Sequence, residues 1–290
     1  MASLSEPTTS VRSHSAEFRN NSKQWASAEE LRRQGRQLHS TVCSQLIREE
    51  RRREFFEMIG DRILRNSRLM SCSNFSMASS SDLQTMAELY DEYFFDSRCL
   101  SLARHFGLHF RWSKRMTSNG GKTVRTVHVD RQTGASRSSF EIVLSATLLF
   151  QTFNDVKRPI RVTGILCHNR LQAMQRIMEH ELVHLVELLL WDHSCCLSPR
   201  FQRIANRLFG HTEHKHDLIT QRERADRQFN IRVGTRVKFC FESQHYVGVV
   251  NRITRRATVL VADPSGQLYN DGKKYRKFYV PLAQLAPATA

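Results

Sequence analysis

Apolar residues recur along this chain with two different periods, and the switches between them divide it into segments. Leu83, Met86, Leu89, Tyr90, Tyr93 and Phe94 return every three or four positions, which predicts an amphipathic helix capped by Ser81 or Asp82. Alternating runs follow at His109-Phe110-Arg111-Trp112, at residues 123–129 and at residues 140–145. Asn119-Gly120-Gly121 predicts a tight turn between the first two of these strands. Residues 160–166 are too short to classify. A helical period then returns over about 169–191, with Ile177, Leu182, Val183, Val186, Leu189 and Leu190 as its buried stripe. Ser198-Pro199 opens another helix, which buries Phe201, Ile204, Ala205 and Leu208 and stops at Gly210.

Outside this middle region the patterns are simpler. Residues 1–26 hold too few apolar side chains to offset the entropy of ordering, which predicts a disordered tail. Residues 27–69 form a charged helical segment, in which Arg51, Arg52 and Arg53, flanked by Glu49, Glu50 and Glu54, read as a solvated face. The Ser-rich stretch 70–81 reads as a flexible linker. A mixed α+β domain is expected over 82–218, then a polar connecting helix over 219–230. From 231 to 285 the period falls to two, in short strands at 234–241, 246–253, 256–261 and 277–282, which predict a small all-β barrel of the SH3-like type.

The helix over 169–191 carries the candidate chemistry. His180-Glu181-Leu182-Val183-His184 puts two imidazoles four residues apart, one above the other on one helix face, where both can reach one ion. Glu181 is placed to take a proton from water beside that ion. No Gly or Pro interrupts the chain from Leu171 to Leu197, so the helix can run unbroken through the motif. The alternative is a buried helix whose histidines are satisfied by hydrogen bonds alone.

Charge and cysteine usage narrow the setting. Lys and Arg number 44 against 28 Asp and Glu, a net charge of +16 and a pI near 10.1, which favours polyanionic partners such as DNA or RNA. Arg252, Arg255, Arg256, Lys273, Lys274, Arg276 and Lys277 concentrate that charge in the barrel among Tyr269, Tyr275, Phe278 and Tyr279, a pattern suited to nucleic acid. Seven cysteines without a Cys-x-x-Cys pair argue against a disulfide framework or a four-cysteine zinc ribbon, and favour a reducing compartment. No apolar run is long enough to span a membrane, and the N-terminus lacks a signal core, so cytosol or nucleus is expected. The Ser/Arg-rich start has some likeness to an organelle transit peptide, against which Glu6 and Glu17 count.

The order of elements over residues 82–216, about half the chain, resembles the SprT-like family of zinc metallopeptidases. The resemblance rests on Tyr90, Phe94 and Phe95, on Trp112, on Glu141-Ile142-Val143-Leu144-Ser145, on the His180–His184 motif and on Pro199-Arg200-Phe201. It implies that His180 and His184 bind Zn2+, that Glu181 is the general base of peptide hydrolysis, and that the protein substrate is associated with nucleic acid. Two features depart from the family. A third histidine ligand expected ahead of Phe201 is replaced here by Leu197 and Ser198, and the C-terminal zinc ribbon of many relatives is replaced by the barrel.

Hydrolytic zinc commonly takes three protein ligands, so a substitute is needed. Cys196 is favoured, since it lies just ahead of the second helix and a thiolate is a good zinc ligand. His211 comes next, although it lies beyond a helix about 18 Å long at 1.5 Å per residue. Cys195 would point elsewhere, His193 is close in sequence to His184, and Glu187 is better suited to orient a ligand. The expectation is a zinc metalloendopeptidase. An inactive metallopeptidase-like adaptor that binds nucleic acid is the alternative.

Overall fold

The structure is a computed structural model that describes residues 27–288, so the tail expected over 1–26 lies outside the described residues. It is an α+β protein with two hydrophobic cores. The larger core takes side chains from Leu38 to Ile219, and the smaller from Ala225 to Leu285.

The charged helical segment expected over 27–69 is two helices, α1 (Ala28–Ser44) and α2 (Glu49–Asn66), built into the larger core. Leu38, Val42, Ile59 and Ile63 are buried there, and Phe55 stacks on Tyr93 of α3 (Ser80–Phe94) with ring centroids 4.9 Å apart. Residues 70–81 are not a free linker. Met70 and Phe75 are buried, and the carbonyls of Asn74 and Phe75 accept hydrogen bonds from Arg170 at the start of the motif helix. Two bulky apolar side chains outweigh the Ser-rich composition of that strap. The N-cap of α3 is Ser79, in a reciprocal capping box with Asp82, rather than Ser81 or Asp82.

After α4 (Cys99–Phe106) come β1 (Leu108–Ser113), β2 (Gly121–Val129) and β3 (Ser136–Ser145). Their spatial order is β1-β3-β2, with β1 parallel and β2 antiparallel to β3. Asn119-Gly120-Gly121 therefore does not join a strand pair, and the hairpin turn is at residues 130–135, between β2 and β3. Pairing of β1 with the more apolar second half of β3, residues 140–145, buries Ile142 and Leu144 in the core and leaves β2 on the sheet edge. A short helix α5 (Ala146–Gln151) and a small hairpin, β4 (Ile160–Val162) and β5 (Ile165–Cys167), lead to α6 (Arg170–Trp191).

Helix α6 is the axis of the larger core. Asn169 caps its start by accepting from the Gln172 N–H, and Asp192 ends it in a left-handed conformation. Helix α7 (Pro199–Phe209) starts at Ser198 and ends at left-handed Gly210, at the positions its sequence signals predict. Helix α8 (Gln221–Phe229) buries Ala225 in the smaller core and is tied to the larger body by Arg158–Glu223 and Arg224–Asp155 ion pairs.

The C-terminal unit is a five-stranded antiparallel sheet in the order β10-β6-β7-β8-β9. Its strands are β6 (Arg236–Phe241), β7 (Gln244–Ile253), β8 (Ala257–Leu268), β9 (Lys274–Val280) and β10 (Ala286–Pro287). Val237, Phe239, Val250, Val259, Phe278 and Val280 point inward, the alternation expected of a sheet curled over one core.

Candidate metal centre

His180 and His184 lie on the face of α6 turned toward β2 and the loop after the helix. Their Nε2 atoms are 3.1 Å apart and their rings meet nearly edge-on. Phe201, from the first turn of α7, packs against both rings at 4.9 and 4.6 Å and so restricts their rotation. Cys196 approaches from the α6–α7 loop, and its Sγ and one nitrogen of each imidazole all lie within 4.8 Å of one another.

A buried carboxylate positions this loop. Glu187, one turn after His184, accepts from Arg200 Nε at 2.6 Å, from Ser194 Oγ at 2.7 Å and from the Cys195 N–H at 3.3 Å. Ser194 gives its one hydrogen to Glu187 and so must accept from His184 Nδ1, 2.6 Å away. That hydrogen bond leaves His184 Nε2 with its lone pair free for a ligand, the usual arrangement behind a metal-bound histidine. Glu187 is thus linked to His184 through Ser194, which carries no sequence signal. Burial holds both imidazoles neutral, with His180 pushed down to about 2 and His184 to about 4. Burial also raises the Cys196 thiol, helped by Cys195 nearby.

The donor set fits zinc. Two Zn–N bonds of about 2.0–2.1 Å at a tetrahedral angle place their nitrogens about 3.3–3.4 Å apart, close to the separation seen here. His180 Nδ1 is buried without a hydrogen-bond partner among the described residues, so the ring's polar contact is on its Nε2 side. Cysteine and histidine together are common zinc donors.

Glu181 is turned toward β2. Its Oε2 accepts from Thr123 Oγ1 at 2.8 Å, and burial pushes the carboxyl up to about 7 against the opposing pull of Thr123. Gly121 stands so close that a Cβ there would lie 2.5 Å from Glu181 Oε1. The Gly pair signalled a turn in the sequence, whereas in the fold Gly121 is the point where strand backbone meets the carboxylate.

These groups form the floor of a cleft of about 670 Å³. Its walls are the start of β2 on one side and Thr163 with His214, Lys215 and His216 on the other, and His216 Nε2 accepts the Gly120 N–H at 2.7 Å. Lys122, Arg125 and Lys215 line it. Arg125 pairs with Asp192 at 2.6 Å, while Lys122 and Lys215 have no carboxylate partner among the described residues. Neither lysine stood out in the sequence.

His211 is not brought to the histidine pair. Its Nε2 is 2.8 Å from Glu179 Oε2 on another face of α6, in a buried cluster with Tyr90 and Arg176. The left-handed turn at Gly210 folds it under Phe209 and away from the cleft. His193 is exposed and uses only its carbonyl, which accepts from Arg200. The seven basic residues singled out in the C-terminal unit do not form one patch. Arg252, Arg255 and Arg256 lie at one end of the β8–β9 hairpin and Lys273 and Lys274 at the other, six residue steps or about 20 Å apart along β9. Arg276 and Lys277 point to opposite faces.

Comparison of the chain with protein-family models, with curated proteins and with solved structures finds no match. Among the described residues, no helix is long and apolar enough to cross a membrane.

Proposed function

We propose that this chain is a zinc-dependent peptidase of SprT-like type, with the C-terminal sheet as an SH3-like barrel. The observation that carries the reading is the convergence of His180, His184 and Cys196 beside buried Glu181 on the floor of one open cleft. Zinc held by these three donors would supply a Lewis acid for the scissile carbonyl and a water of lowered pKa. Three protein donors, rather than four, leave a position for that water.

Glu181 takes the proton of the attacking water on its carboxylate and returns it to the departing amine. A carboxyl that burial brings near neutrality suits both halves of that transfer. Thr123 holds Oε2, so the carboxylate keeps one orientation through the cycle. The free edge of β2 beside the cleft offers unpaired backbone groups to an extended substrate chain. A thiol ligand suits a reducing compartment, cytosol or nucleus.

Glu181→Gln tests the reading. Cleavage of a casein or peptide substrate should fall by at least about 10³-fold while bound zinc stays at the wild-type level. Undiminished cleavage by that variant refutes the role of Glu181. Purified protein without zinc and without cleavage would instead support the adaptor reading, in which His180 Nε2–H donates to His184.

A further inference from the structure

The outward face of the C-terminal sheet carries basic side chains with no carboxylate within ion-pair distance among the described residues. In the larger body a number of arginines lie against carboxylates, as in Arg62–Glu92, Arg111–Glu141, Arg158–Glu223, Arg176–Glu179 and Arg200–Glu187. Residues 236–280 hold nine basic against three acidic side chains, and among the described residues none of those nine pairs with a carboxylate. Two of the three acids are engaged with neighbouring hydroxyls, Asp263 with Ser265 and Asp271 with Tyr275.

Strand register shows which of the nine share a face. Arg236 is opposite Val249, Val249 opposite Leu260, and Leu260 opposite Lys277, one continuous row across four strands. The next rows are Lys238 with Val247 and Arg252 with Thr258 and Tyr279. Directly paired residues point to the same side, so Arg236, Lys238, Arg252 and Lys277 stand on one face, opposite to the inward Phe239 and Phe278. Between them lie Val247 and Val249, 45% and 42% exposed, and Tyr279, 64% exposed. Tyr275 and Tyr269 sit beyond Lys277, with rings nearly perpendicular at 5.3 Å. Arg236 and Lys238 are not among the seven basic residues that the sequence singles out in this segment.

We propose that this face binds single-stranded nucleic acid, through phosphates on Arg236, Lys238, Arg252 and Lys277 and through bases stacked on Tyr279. Four unneutralised cations need a polyanion, and an exposed aromatic ring set among them offers a flat apolar surface that acidic peptides do not require. Bases reach such a ring only when unpaired, which selects single strands over duplex. The inference does not depend on the peptidase reading.

The test is fluorescence anisotropy of the full chain with a labelled short single-stranded DNA, its RNA counterpart, the matching duplex and poly-glutamate. Single strands of either sugar should bind best, with a log Kd against log salt slope of about 3, from about 0.7 per phosphate and four cations. Combined Arg236→Glu, Lys238→Glu, Arg252→Glu and Lys277→Glu should weaken binding by at least about tenfold at unchanged thermal melting. Lys273→Glu with Lys274→Glu, at the hairpin tip, should change it by less than about threefold. Tyr279→Ala should weaken binding about tenfold and Tyr279→Phe should retain it. Unchanged binding by the four-residue variant, duplex bound more tightly than single strand, or no binding at low salt overturns the proposal. Poly-glutamate bound as tightly as the oligonucleotide, with Tyr279→Ala neutral, overturns it in favour of an acidic protein partner.

Discussion

Gly121→Ala is the most direct probe of the candidate centre, because its effect follows from distances alone. The added Cβ would stand 2.5, 2.7 and 2.8 Å from Oε1, Cγ and Cδ of Glu181, where ordinary contact begins at 3.4 Å. Either strand β2 or the carboxylate must therefore move by roughly 1 Å, enough to restore ordinary contact. Glu181 cannot yield freely, since it is buried and its Oε2 is held by Thr123. Overpacking of this kind costs about 1–3 kcal/mol, and a misplacement of about 1 Å at a reacting group costs about 10²-fold in rate. The expected outcome is a lower urea midpoint together with a kcat/KM reduced about a hundredfold. Zinc content should not change, because the three atoms nearest the new methyl group all belong to Glu181 and none to a candidate ligand. Gly35→Ala is the control: nothing lies within 4 Å of its Cβ in α1, so it should gain about 0.5–1 kcal/mol. If Gly121→Ala matches wild type in both stability and rate, the close approach of β2 to Glu181 is wrong.

Three further outcomes separate the residues around the cleft. Cys196→Ala should lower zinc affinity by at least about tenfold in a competition titration, whereas His211→Ala should keep zinc and lose about 2 kcal/mol or more of stability from the Glu179 cluster; the reverse pattern would exchange their roles. Glu187→Ala leaves Ser194 and Arg200 without their shared acceptor, so chemical unfolding should report a loss of about 3–5 kcal/mol and zinc should bind about 10–100-fold more weakly. Lys122→Glu with Lys215→Glu reverses the charge of both free cations in the cleft, and should lower cleavage of acidic peptides relative to matched neutral ones by about tenfold. An unaltered ratio of the two rates would show that these lysines do not contact substrate.

The parts legible from the sequence are those dictated by short stretches of backbone. An α-helix puts residues four apart on one face wherever it occurs, so His180 and His184 could be paired before any fold was known. Caps behave alike: Ser198 with Pro199 and the left-handed stop at Gly210 depend on a few neighbouring peptide groups. Alternation likewise located β6 to β9.

What the sequence left open was decided by packing between distant segments. Cys196 and His211 both follow the motif helix, and their places in the chain and donor chemistry ranked them without separating their surroundings. One is drawn to the histidines by the Glu187–Ser194–Arg200 bonds, and the other is held on a different face of α6 by Glu179. The insertion of β3 between β1 and β2 turned Asn119-Gly120-Gly121 from a hairpin turn into the wall of a cleft. The same pairing rules put Arg236 and Lys277, 41 positions apart in the chain, in one row. Local geometry is fixed by bonds and torsions a few residues long, whereas these contacts arise from burial of apolar area summed over the whole core, which no single stretch encodes.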